Sequence, residues 1–98
     1  LTGDVIDAET AARWGLINRI VPPEKLLETA FEYAERIGKN APLAVQAAKE
    51  LAIRSQDVDL QTGLRMELVM NRVLWETEDL KEGAAAFAQK RPAKFQGR

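Results

Sequence analysis

Residues 77–98 read TEDLKEGAAAFAQKRPAKFQGR. Thr77 is a helix-start residue whose hydroxyl can accept from an orphan amide of the first turn. Glu78 and Asp79 follow, where acidic groups suit the positive end of a helix. An alanine-rich helix is expected to run from there and stop at Arg91-Pro92, because a residue before proline is pushed out of helical geometry. Leu80, Ala84, Phe87 and Ala88 are expected on its inner face. Beyond it Lys90, Arg91, Lys94 and Arg98 fall within nine residues, with no acid among them. A cationic helix end beside an aromatic side chain offers a perch for a phosphate-bearing ligand. The competing reading is an ordinary positive helix end followed by a solvated tail.

Working back toward the start, the same local rules lay out the rest of the chain. The opening 22 residues are LTGDVIDAETAARWGLINRIVP. Asp7 is a good N-cap for a short helix from Ala8 to Trp14, and Gly15 can take the left-handed conformation that closes it. Residues 16–21, rich in branched side chains, predict a short strand that Pro22-Pro23 ends. Leu26, Leu27, Ala30, Phe31, Ala34 and Ile37 keep helical spacing, so 24–37 should be an amphipathic helix. Gly38 and Asn40 stop it, and Asn40 is expected to cap the next helix with Pro42 near its first position. Ala44, Ala47, Ala48 and Leu51 form a narrow stripe that lets another helix approach closely. Asp57 and Asp59 introduce a longer helix over 60–76. Its apolar residues Leu60, Leu64, Leu68, Val69, Val73 and Leu74 span an arc wide enough to demand burial on more than one side. The expected fold class is mainly α: about five helices and one short strand, without a sheet of its own. Two parts are expected, 1–22 as the end of a core and 23–98 as a helical domain.

Composition narrows the chemistry. The chain has 98 residues, 46% hydrophobic and 30% charged, with a formal net charge of -1 and neither cysteine nor histidine. One domain at most fits that length. The absence of cysteine removes disulfides, thiolate nucleophiles and thiolate-bound metal, and the absence of histidine removes the commonest general base at neutral pH. No metal site is expected. The charge gives no drive toward nucleic acid or an anionic membrane, no helix presents a one-sided basic face, and no apolar run approaches the ~20 residues of a membrane span. Carboxylate pairs such as Glu24/Glu28 and Glu32/Glu35, and the cluster Glu76, Glu78, Asp79 and Glu82, sit on expected solvent faces or in a first turn. Capping and charge patterning account for them, whereas a catalytic pair needs burial to separate its pKa values.

Taken in order, these pieces resemble the C-terminal part of the enoyl-CoA hydratase/isomerase (crotonase) family. The resemblance rests on residues 1–22, the turn Asn40-Ala41-Pro42, Ala47-Ala48-Lys49, Thr77-Glu78-Asp79, Lys81-Glu82-Gly83, Ala86-Phe87, Lys90-Arg91 and Phe95, and it covers the whole chain. It implies a parent that binds an acyl-CoA thioester; hydration, isomerisation, dehalogenation, hydrolysis and C–C cleavage share this C-terminal part, and addition of water across the 2,3 double bond is the leading reading among them. Paired backbone N–H groups would stabilise the enolate-like transition state, and two glutamates would act as general acid and base. Those groups belong to a glycine-rich region expected before Leu1, so no catalytic residue is assigned in these 98 residues. The resemblance implies CoA contact for Phe87 and Lys90 only, no cofactor beyond the CoA thioester itself, and a homo-oligomer, a trimer or dimer of trimers. It also implies a cytoplasmic location, or the mitochondrial matrix in a eukaryote. By pattern alone Phe87, Trp14 and Trp75 read as packing residues, with Trp75 also a candidate border of an acyl pocket or subunit contact. A different class of function stays open: a free-standing helical interaction module using the arc of 60–74 as its partner face. On the family reading the chain is a fragment whose apolar sides expect a body outside it.

Overall fold

The computed structural model describes residues 1–98. Five α-helices follow one another: α1 (Ala8–Arg13), α2 (Leu26–Gly38), α3 (Pro42–Arg54), α4 (Leu60–Trp75) and α5 (Glu78–Ala88), with a 3₁₀ turn at Pro23–Lys25 before α2. The mainly α expectation holds. The chain divides into two compact units, Leu1–Tyr33 and Ala34–Arg98, and the division falls inside α2.

In the first unit Asp7 caps α1, its carboxylate accepting the Thr10 N–H at 2.8 Å. The Thr10 side chain first and its N–H second lower the Asp7 pKa, because hydrogen bonds to the carboxylate favour the ionised form. Gly15, at φ 76°, closes the helix: Leu16 donates to the Ala11 carbonyl and Gly15 to that of Ala12. This is the left-handed closure the glycine allows. The strand expected over 16–21 is absent. Branched side chains favour extended backbone, but a strand exists only as part of a ladder, and no second extended segment pairs with this one.

In the second unit Asn40 does not cap α3. Its side-chain amide donates back to the Arg36 and Ile37 carbonyls, at 3.0 and 3.2 Å. It therefore satisfies orphan acceptors at the end of α2. Ala41 stands at the N-cap of α3 without a side-chain bond, and Pro42, which has no N–H to satisfy, takes the first turn as expected. Asp59 caps α4, accepting the Thr62 N–H at 3.0 Å and the Thr62 hydroxyl at 2.7 Å. Helix α3 packs on α4. The stripe Ala44, Ala47 and Ala48 lines a groove of about 690 Å³ shared with Leu64 and Leu74 of α4, and Ala47 is buried.

Thr77 joins α4 to α5 twice, donating its hydroxyl to the Leu74 carbonyl at 2.7 Å and accepting the Leu80 N–H at 3.2 Å. Thr77→Ala removes both bonds and is expected to cost about 1–2 kcal/mol, the usual range for a lost N-cap. Chemical denaturation checks this, and an unchanged midpoint would show that the hydroxyl contributes nothing.

The buried apolar residues are Ala11, Ala47 and Ala86, and no large side chain is fully buried. Of the α4 arc, Leu60, Leu64, Leu68, Val69 and Val73 are all exposed, and so are Leu27 and Phe31 on α2. The helices are thus drawn by capping and hydrogen bonding while their apolar sides stay uncovered. No helix is long and apolar enough to cross a membrane.

Candidate functional site

Helix α5 carries Phe87 and the turn that ends it carries Lys90, the two residues named for ligand contact, and the surroundings are polar. The side of α5 that the chain itself covers is Asp79, Glu82, Gly83 and Ala86, the i, i+3, i+4, i+7 row. Asp79 and Ala86 are each 3% exposed. The face expected to be inner, with Leu80, Ala84, Phe87 and Ala88, is instead the exposed one, and Phe87 is 88% exposed. The reason is the tail. Residues 91–98 run along α5 without regular secondary structure, with the Phe95 ring against Gly83, where an added Cβ would meet ring carbon Cε1 at 3.5 Å. A segment outside any helix or ladder brings unpaired N–H groups, and carboxylates on the covered side meet them.

Asp79 accepts the Gln96 N–H on Oδ1 and the Gly97 N–H on Oδ2, each at 2.7 Å, while its own N–H donates to the Arg98 carbonyl at 3.0 Å. Glu82 holds the other end. Its two oxygens accept the Arg91 guanidinium as a fork, Nη1 to Oε1 at 2.6 Å and Nη2 to Oε2 at 2.8 Å. Oε1 also takes the Lys94 N–H at 2.7 Å. The Arg91 bonds first and the Lys94 amide second hold the Glu82 pKa down to about 2. The same pairing raises that of Arg91. Planar bidentate geometry of this kind is the strong form of carboxylate pairing.

This clasp rearranges the expected cationic end. Arg91 is spent on Glu82, and Arg98 pairs with Glu78 at 2.9 Å on the exposed surface. Lys90 and Lys94 keep ammonium groups outside any ion pair. Lys90 sits at the turn that ends α5, at φ 52°, and is the sole non-glycine residue with positive φ. Arg91 donates to the Ala86 carbonyl at 3.0 Å and Lys90 to that of Phe87 at 3.2 Å. That is the pair of bonds that usually surrounds a glycine at this position. Phe87 and Lys90 are thereby both exposed at the C-terminal end of one helix.

Asp79 and Glu82 have both carboxylate oxygens engaged. The recess of about 470 Å³ lined by Glu78, Asp79, Glu82, Arg91, Lys94 and Gln96 is built from groups already bonded to one another. A carboxyl held near 2 stays ionised at neutral pH and has no proton to give. Asp79 stands in the first turn of α5 as expected, and it is buried there as an acceptor for the tail. The sequence carries only a partial signal of this arrangement, two acids and two small residues on one helical row followed by a basic segment, and it does not reveal that the acids bond the amides of the tail.

Residues 1–98 match the family model described as enoyl-CoA hydratase/isomerase. The chain is 43% identical over 97 residues to the (E)-benzylidenesuccinyl-CoA hydratase of Thauera aromatica, covering 99% of this chain and 38% of that protein. It is 42% identical over 98 residues to the 2,3-dehydroadipyl-CoA hydratase of Escherichia coli K12, covering 100% of this chain and 38% of that protein. The solved structure of an enoyl-CoA hydratase from Bacillus anthracis superposes with a TM-score of 0.90 at 41% identity, covering 93% of this chain and 35% of that one. The chain thus spans under two fifths of the length of the relatives it matches. Family match, sequence identity and helical superposition agree over nearly every residue, and the chain belongs to the enoyl-CoA hydratase/isomerase family.

Proposed function

We propose that these residues form the C-terminal helical part of a cytoplasmic enzyme that adds water across the 2,3 double bond of an enoyl-CoA thioester. The observation that carries this reading is the family match over all 98 residues, with relatives whose names are hydratases of CoA thioesters. Water adds as a proton and a hydroxyl, giving a 3-hydroxyacyl-CoA. The acid, the base and the oxyanion-stabilising amides are assigned to the part of the enzyme outside these residues, because the one buried acid here, Asp79, has both oxygens taken by amides of the tail. Residues 1–22 join that part and residues 23–98 form the helical domain.

Two tasks fall to the helices. Their uncovered apolar faces, above all Leu60, Leu64, Leu68 and Val73 of α4, supply contacts to the catalytic core and to other copies in a trimer or dimer of trimers. The end of α5 contacts the nucleotide of CoA: the Phe87 ring offers a flat apolar surface, and the Lys90 ammonium, which spends its charge on no acid of its own unit, meets a phosphate.

The whole protein should hydrate crotonyl-CoA, read as loss of the conjugated thioester absorbance, whereas the isolated 98 residues should leave the substrate at its rate in buffer. Lys90→Ala in the whole protein should raise KM about tenfold at low salt, the effect of losing one contact worth roughly 1.4 kcal/mol, and less at high salt where the attraction is screened. A whole protein inert toward a series of 2-enoyl-CoAs would overturn the hydratase reading. An unchanged KM for Lys90→Ala would remove Lys90 from the site.

A further inference from the structure

The backbone at Lys90 requires explanation. Gly3, Gly15 and Gly97 carry the other positive φ values, and a lysine at φ 52° holds a conformation that glycine would occupy without strain. A strained position persists where its surroundings over-determine it, and such positions gather at functional sites. The surroundings here are specific. Arg91 donates Nε to Gln89 Oε1 at 2.8 Å and Nη1 to the Pro92 carbonyl at 3.2 Å, and its fork grips Glu82. Glu82 also fixes the Lys94 amide, so one carboxylate on α5, about two turns before Lys90, anchors the chain on the far side of the turn.

We infer that Glu82 is a positioning residue for Lys90: through Arg91 and the Lys94 amide it holds the left-handed turn that aims the Lys90 ammonium at the nucleotide end of a bound CoA thioester. This rests on the reading of Lys90 as a CoA contact. Glu82 itself touches no ligand. Its carboxylate is filled by Arg91 and Lys94, and its charge is cancelled locally, so its influence reaches the ligand only through the geometry of residue 90. A glycine there would relax the turn but carry no charge. A lysine supplies the charge and needs the clasp.

The test is a double-mutant cycle in the whole protein, with crotonyl-CoA and crotonyl-pantetheine, which lacks the nucleotide, as paired substrates. Glu82→Gln should raise KM for the CoA thioester about threefold to fivefold with kcat unchanged, and leave the pantetheine thioester unaffected, since a misaimed cation loses part of the roughly tenfold effect of a deleted one. Lys90→Gly should lose the full tenfold without lowering Tm, because glycine suits the turn. On the Lys90→Gly background Glu82→Gln should change KM no further, the non-additivity expected when one residue acts through the other. Should Glu82→Gln fail to fold, Arg91→Lys, which keeps the charge and loses the fork, takes its place in the same cycle. Additive losses, or equal losses on both substrates, overturn the positioning role and leave Lys90 in the site. An unchanged KM for Lys90→Gly overturns the CoA contact itself, and the role of Glu82 with it.

Discussion

Asp79→Ala will destabilise the second unit by about 2–4 kcal/mol, because it strips the acceptors from two amides at once and each loss at a part-buried site costs roughly 1–3 kcal/mol. Asp79 is 3% exposed, and its carboxylate spans the Gln96 and Gly97 N–H groups, one to each oxygen. Asp79 also lies in the first turn of α5, where its charge suits the helix dipole. That contribution, about 0.3–1 kcal/mol, is smaller than the hydrogen bonds. Asp79→Asn separates the two: it removes the charge and keeps one acceptor oxygen, so it should retain part of the stability while its amide group opposes one of the N–H donors. Hydrogen exchange at the Gln96 and Gly97 amides reads the local effect and urea denaturation the global one. If both variants matched the parent, the tail would have to be held by something other than this carboxylate.

Acid should release the same tail from its other end. The folded pKa of Glu82 is about 2 against an ordinary 4.5. A carboxyl with a depressed folded pKa contributes stability that is fully present above its unfolded value and lost as pH falls through the folded one. The loss therefore begins below about pH 4.5 and completes near pH 2. Asp7 and Asp59 are shifted in the same direction by their Thr10 and Thr62 bonds, so a global melt would mix all three groups. Exchange at the Lys94 amide, which donates to Glu82, isolates the one of interest. Its protection should fall across that window in the parent and be low and flat in Glu82→Gln. Parallel curves for the two proteins would assign the acid response to other groups.

Much of the local structure was legible in the residues. Asp7, Asp59 and Thr77 each cap the helix that their position announces, and Gly15 and Pro42 stand where the chain needs a left-handed residue and a missing N–H. These features act over a few residues and need no tertiary knowledge. Three readings failed where the outcome depends on a distant partner. The strand over 16–21 had branched residues but no ladder to join. Asn40 had two helix ends within reach, and the carbonyls of α2 took its amide. The inner face of α5 was assigned by apolarity, whereas the segment that covers it is irregular backbone in need of acceptors, so the acids turned inward and Leu80 and Phe87 turned outward. Family membership was legible from the order and spacing of short motifs. The clasp was not, because a carboxylate that bonds amides over ten residues later in the chain looks, in sequence, like one that faces water.

The three alanines that make up the buried apolar set are the smallest side chains able to form an interior, and little cohesive energy comes with them. A chain whose oily helix sides went uncovered would present an adhesive surface to chaperones and proteases. Its cellular abundance would then follow how fully those sides are covered more closely than the rate of its synthesis.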